Sequence, residues 1–427
     1  MTVDRKTIPP IHDAIEFEYT LPAIHEQSLD NGLPLYWLNA GVQDVAEIDW
    51  VFPAGIWYEP FPAVAFAVAS LLKNGTSKRS AHQINEALEF YGASLKVNTG
   101  NDFATVTLHA LTKHLPDLLP IIYEIISDAV FPETELDIYR QNAIQRLLVN
   151  LRQCEFVANQ RIDAVLFGEE HPYGRYSKKE KIEALTREQL LGFFSNNFDL
   201  SKVKIFMAGN VGELEVKYLN DIFGKLPVQR SELKNELITA SIPAQKKYNI
   251  LNDPDGVQGA IRIGRLFPNR HHPDYAPMVV LNTLFGGYFG SRLMSNIRED
   301  KGYTYGIYSS VTPYNNGGSL IVQTEVGRDV VEAAVKEVYH EMELLCNEKA
   351  SEDELLLVKN YLLGGLLGDL DGPFSILQRW RTIVLNGFSK DHFDTNVQTY
   401  KTVTASELQE LANRYFKKDD FYEVVVI

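Results

Sequence analysis

Apolar residues recur along this chain in two rhythms. At Leu95-Lys96-Val97-Asn98 and Ala104-Thr105-Val106-Thr107-Leu108 they alternate with polar residues, the pattern of a half-buried hairpin. Residues 33–38, after the Asn31-Gly32 turn signal, and residues 48–52 read as further strands, since β-type residues dominate them. Helical spacing takes over across 115–129 and 133–157. The second half repeats the scheme, with strands at 260–263 and 318–326 and helices at 331–346 and 352–370. No regular βαβ beat connects these segments. The pattern therefore predicts an α+β fold in which helices pack on a largely antiparallel sheet.

The repetition is visible in the residues themselves. Glu135-Leu136 and Glu354-Leu355 each open a helical segment 219 positions apart, and Val165-Leu166-Phe167-Gly168 matches Val384-Leu385-Asn386-Gly387 at the same offset. Thr186-Arg187-Glu188-Gln189-Leu190 pairs with Thr404-Ala405-Ser406-Glu407-Leu408 at 218, each leading to a phenylalanine and an apolar strand. Three anchors in one order at nearly constant offset indicate an internal duplication. The expected organisation is two homologous α/β-sandwich halves, 1–226 and 248–427, joined by a polar, proline-bearing linker at 227–247.

With 427 residues and 45% hydrophobic side chains, the chain is long and apolar enough for two cores. Its net charge of −15 repels a phosphate backbone, and no basic stripe offsets it, so nucleic acid is not an expected partner. No run approaches the roughly 20 apolar residues of a membrane span. The start shows no apolar signal core, which makes the cytoplasm the default and leaves the periplasm open to a trimmed export signal. Cys154 and Cys346 lie in separate halves and read as structural thiols rather than a disulfide. The histidines are scattered: His271-His272 precedes a proline, and His109 and His114 straddle a strand-to-helix junction. No Gly-x-Ser-x-Gly elbow is present.

Ala54-Gly55-Ile56-Trp57-Tyr58-Glu59-Pro60, an apolar helix and then Lys73-Asn74-Gly75-Thr76 give the chain a likeness to a known family. So do Phe285-Gly286-Gly287-Tyr288-Phe289-Gly290-Ser291-Arg292-Leu293 and the run from Ile297-Arg298 to Gly302-Tyr303-Thr304-Tyr305. The sequence resembles the pitrilysin/insulinase zinc metallopeptidases over about its whole length, and within them the two-subunit processing-peptidase branch. Active members carry His-x-x-Glu-His on the helix before Lys-Gly-Thr. That spacing puts two imidazoles on one helix face, with a glutamate placed to polarise metal-bound water. Here the window reads Ala65-Phe66-Ala67-Val68-Ala69, and the position expected for a third, glutamate ligand is Gln145. Ala65, Val68 and Ala69 cannot coordinate metal, so no catalytic zinc is expected in this chain.

The resemblance also implies a role for what remains. The family pairs an arginine and a tyrosine seven residues apart in its non-metal half, and Arg298 and Tyr305 keep that spacing. In that role they act in trans: Arg298 holds substrate carbonyls and Tyr305 donates to a developing oxyanion in a partner's site. Gly286, Gly287, Gly290 and Ser291 are expected to form a flexible substrate-binding rim. The function so implied is the non-catalytic subunit of a heterodimeric zinc peptidase, with zinc in a homologous partner and extended or unfolded peptides as substrate. The alternative is a catalytically dead scaffold or peptide-binding assembly protein.

Overall fold

The computed structural model describes residues 12–225, 238–241 and 243–427. The first half supplies strands β1 (His25–Ser28), β2 (Pro34–Asn39), β3 (Val45–Phe52), β4 (Ser94–Thr99), β5 (Ala104–Leu111) and β6 (Lys204–Gly209). The second supplies β7 (Lys247–Ile250), β8 (Gln258–Leu266), β9 (Thr304–Tyr314), β10 (Gly317–Gly327) and β11 (Tyr422–Val426). Helices of the first half are α1 (Val64–Leu71), α2 (Ala81–Phe90), α3 (Leu115–Ser127), α4 (Glu133–Asn150), α5 (Cys154–Phe167), α6 (Lys179–Glu183), α7 (Arg187–Asn197) and α8 (Glu213–Leu219). Those of the second are α9 (Tyr275–Asn282), α10 (Val331–Asn347), α11 (Glu352–Asp369), α12 (Pro373–Leu385), α13 (Lys390–Thr402) and α14 (Ala405–Tyr415).

One sheet has the order β1-β2-β6-β3-β5-β4, the other β7-β11-β8-β10-β9. Without β1 the two orders match strand for strand. The directions match as well: β2 with β6 and β7 with β11 are parallel, and every other pair is antiparallel. The expected α+β duplication is thus present in topology.

The two halves exchange a helix, a feature the duplication alone does not announce. Alternation on β5 buries Ala104, Val106, Leu108 and Ala110 under the helices of the first half. β3 is instead buried at nearly every position, because both its faces are covered. Ile48, Trp50 and Phe52 face the first-half core, whereas Val51 joins Leu38, Phe206 and Ala208 in a cluster closed by Leu366, Ile376 and Leu377 of the second half. Reciprocally, Ala158, Ile162 and Leu166 of α5 pack beneath Ala260, Tyr422 and Val424 of the other sheet. An arginine pins each crossing. Arg381 on α12 donates to buried Asp49 of β3, which also accepts from Thr107 Oγ1 at 2.5 Å. Arg262 on β8, 1% exposed, donates from Nε to Asn159 Oδ1 of α5 at 2.7 Å.

The hairpin tips of the two sheets also meet. Asp102, in the β4–β5 turn, accepts from the Tyr173 hydroxyl at 2.5 Å and from the Asn315 backbone N–H, in the β9–β10 turn, at 3.0 Å. Burial raises the Asp102 carboxyl above its usual range.

Two expectations need correcting here. The helix expected across 133–157 is broken at Leu151–Gln153, where the Leu151 carbonyl accepts from Asn252 Nδ2 at 3.0 Å and the chain turns from one sheet to the other. Of the linker expected at 227–247, residues 227–237 and 242 lie outside the described residues. What is described is tied down: the Ser241 N–H donates to the Phe167 carbonyl at 3.0 Å, the Pro243 carbonyl accepts from the Tyr422 hydroxyl at 2.9 Å, and Lys247 already belongs to β7.

Candidate functional site

Two places carry the residues singled out by sequence, one in each half. The first is the helix where metal ligands would stand. α1 opens from Ala63, whose φ of 77° is the left-handed region an alanine rarely adopts, so the helix start is strained. Ala65, Val68 and Ala69 lie on the buried side of α1, at 1%, 0% and 5% exposure. Ala65 and Val68 belong to the first-half core, with Ala143 and Ile144 of α4 packed against it. Gln145 sits on the solvent side of α4. Three hydrocarbon side chains and one amide do not fit zinc. Among the described residues, no group of three or more His, Cys, Asp or Glu side chains is arranged to hold a metal.

Beside these positions is a polar group that the sequence motif contained but did not single out. Glu59 is buried, and its Oε1 accepts the Ala65 backbone N–H at 2.9 Å, satisfying a donor of the first turn of α1. Burial pushes the Glu59 carboxyl up to about 7, against the opposing pull of the Ala65 N–H and of the Arg175 guanidinium 3.7 Å away. Arg175 itself is anchored by donation to the carbonyls of Ile56 and Glu59 at 2.7 and 2.8 Å. Tyr139 on α4 is pushed up to about 12 by its own burial. The first-half site is thus a sealed, protein-filled junction between α1 and α4.

The second place is open. Residues Thr283–Gly287 and Met294–Asp300 wind into wide π-type turns, which replace the flexible loop expected there. The Gly302 N–H donates to the Arg298 carbonyl at 3.2 Å and the Tyr303 N–H to the Ile297 carbonyl at 3.0 Å. Gly302 itself takes φ 67°, a left-handed cap that glycine adopts without strain. The chain swings from that cap directly into β9. Arg298 in the last turn and Tyr305 near the strand start are thereby brought face to face, the guanidinium carbon 5.3 Å from the Tyr305 ring centroid. It lies 4.5 Å from the Phe289 ring, so the cation rests between two aromatic faces. Tyr305 is 92% exposed and Phe289 57%. No carboxylate pairs with Arg298 among the described residues.

The four rim residues separate. Gly290 is exposed and Gly287 half-exposed, but Gly286 and Ser291 are buried, a correction to the expectation that all four present themselves to a substrate. A Cβ on Gly286 would come within 2.6 Å of Ser309 Oγ and 2.7 Å of Leu293 Cδ1, so close packing explains that glycine. The following turn is clamped by Arg292, which donates from Nε and Nη2 to both carboxylate oxygens of Glu354 at 2.8 and 2.9 Å. Phe289 went unnoticed in sequence because a phenylalanine among glycines reads as core. The doublet Gly286-Gly287 with Gly290, which gives it nowhere to bury, was the available signal.

Comparison with known proteins follows the same division. Residues 40–170 match the family profile described as Insulinase (Peptidase family M16), and residues 184–362 match that described as Peptidase M16 inactive domain. An uncharacterized zinc protease of Mycobacterium tuberculosis is 22% identical over 402 residues, covering 93% of this chain and 87% of the relative. The uncharacterized zinc protease YmxG of Bacillus subtilis is 21% identical over 391 residues, covering 89% and 92%. Among solved structures, a peptidase M16 inactive domain from Pseudomonas fluorescens superposes with a TM-score of 0.85 at 20% identity, covering 94% of this chain and 98% of that one. A protease from Helicobacter pylori gives 0.85 at 17%, covering 95% and 100%.

Proposed function

This chain belongs to the insulinase family of peptidases, peptidase family M16, and we propose that within it the chain is the metal-free subunit of a two-subunit zinc peptidase. A homologous partner carries the zinc and the base, while this chain contributes Arg298, Tyr305 and half of the enclosure around an extended peptide. The observation that carries this reading is the contrast between its two sites. Where metal ligands would stand the protein is filled with hydrocarbon, yet Tyr305 stands in solvent and the half-buried Arg298 rests against Tyr305 and Phe289 with no carboxylate pairing with it among the described residues. Relatives bearing the name zinc protease make a zinc-bearing homologue the natural partner.

In such a complex the Arg298 guanidinium, with its five donors in a fixed fork, holds substrate carbonyls, and the Tyr305 hydroxyl donates to the oxygen on which charge develops. A purely scaffolding role is less well supported, because it leaves without a task an exposed tyrosine and an arginine that has no carboxylate partner among the described residues. The deciding experiment is peptide hydrolysis by the chain alone and mixed with a homologue bearing an intact His-x-x-Glu-His motif, with metal content measured on both. Activity in the mixture only, lost to a chelator, with less than a tenth of an equivalent of zinc on this chain, is the expected result. A verified complex that stays inactive would transfer the assignment to the scaffold.

A further inference from the structure

A cavity of about 870 Å³ lies far from the rim. It runs between β7 and α10, and its floor is Val335, Tyr339, Phe416 and Val425. β7 is the outer strand of its sheet, and β9, where Tyr305 sits, is the opposite edge. Four strand spacings, about 19 Å, separate them.

Among the described residues, no strand covers the edge beside this groove. The carbonyls of Lys246 and Ile250 accept from the N–H groups of Glu423 and Ile427 at 2.7 and 2.8 Å, which fixes the phase of the parallel ladder with β11. The period of two then turns the N–H and C=O of Lys247 and Asn249 away from the sheet. Gln245 Nε2 donates to the outward Lys247 carbonyl at 2.7 Å, a side-chain stand-in for a missing strand. The first half shows what belongs there. At the matching edge of the other sheet, β1 pairs antiparallel with β2 over His25–Ser28, and no described strand takes that place on β7.

We propose that the β7–α10 groove binds an extended, uncharged peptide segment with apolar side chains at alternate positions, added antiparallel to β7 as a sixth strand. An open strand edge flanked by a helix with an apolar floor is the geometry of strand-addition recognition, in which main-chain bonds give affinity and alternate side chains give selection. Charge sets the rest of the choice. Glu423 is already engaged by Lys247 at 2.9 Å and by the Tyr339 hydroxyl at 2.9 Å. Of the remaining ionic side chains, Lys336 and Lys418 are offset by Glu332 and Glu343, so the groove favours neither sign. The site does not depend on the partner subunit, and it would hold an unfolded chain at a second point away from the rim.

The test uses the full-length chain and a fluorescein-labelled, capped hexapeptide of alternating threonine and valine, followed by anisotropy. Asn249→Pro removes an outward N–H from an edge strand while leaving the inner ladder intact, a position where proline is tolerated. Val335→Trp fills the floor. Each is expected to weaken binding at least tenfold, as is N-methylation of the peptide backbone, whereas Val42→Ala, at a fully exposed position of the first half, leaves it unchanged. Binding indifferent to Asn249→Pro and to N-methylation, absence of binding, or loss only in Arg298→Ala would overturn the proposal. So would a dimer that Asn249→Pro dissociates while no peptide binds, since the edge would then belong to a second copy.

Discussion

At the scale of single residues, the two sites have opposite chemistry and call for opposite tests. Removing one preorganised oxyanion donor typically costs a factor of about 10²–10³ in turnover. Tyr305→Phe should therefore depress kcat of the partnered complex by that order, with assembly by size-exclusion chromatography unchanged because the hydroxyl is solvent-facing. Arg298→Ala should raise KM as well, since its donors hold ground state and transition state alike. Equal activity in both variants would remove the trans-acting role. Glu59 makes a prediction about stability. Its folded-state carboxyl is raised from 4.5 to about 7, so the fold binds a proton there that the unfolded chain has already released. Stability is then lost as pH rises from about 4.5 through 7, by roughly 3 kcal/mol for this group. Asp163, also pushed up to about 7 by burial, contributes with the same sign. Glu59→Gln should flatten part of the decline and raise the melting temperature at pH 8; a steeper decline would contradict the assignment. The spacing of Arg298 and Tyr305 was legible in sequence because a seven-residue interval survives any local winding. The burial of Gly286 was not, since it depends on Ser309 and Leu293 packing against it.

Among elements, the duplication was legible through its local signals. Thr186 and Thr404 each accept from the backbone N–H three residues on, at 3.3 and 3.2 Å, in matching capping boxes that require no tertiary partner. The helix exchange was illegible. An apolar face on α5 or α12 says that something must cover it and never says which sheet. Leu377, fully buried on α12, packs with Val51 and Phe206 of the other half. Leu377→Ala should cost about 2–5 kcal/mol, the usual range for a buried leucine. Because it sits at the crossing, it should loosen the first-half sheet despite lying about 170 residues beyond it. Hydrogen exchange on β6 reads this directly: unchanged protection there would mean that α12 contributes little to that sheet.

For the whole molecule, two sheets that borrow each other's cover cannot be two independent folding units, whatever boundary the sequence suggests between them. Trp37 and Trp50 lie in the first-half core and Trp380 on its borrowed cover α12, while Trp57 sits in the cluster between α5 and the second sheet, so tryptophan fluorescence is weighted toward the first sheet. Far-ultraviolet circular dichroism reports on both. The urea transitions seen by the two probes should coincide, with one slope and one midpoint. A plateau between them would show that the halves come apart separately.

The exchange of α5 and α12 also orders events during synthesis. β6 completes the first sheet at Gly209, but the helix that covers its far face begins at Pro373, about 160 residues later. At roughly 5–20 residues per second, that interval is about 8–30 s. Throughout it, Leu38, Val51, Phe206 and Ala208 form a finished apolar surface without a lid, on a chain still attached to the ribosome. The nascent protein therefore carries a built-in period of chaperone dependence whose length is set by the distance along the message between β6 and α12.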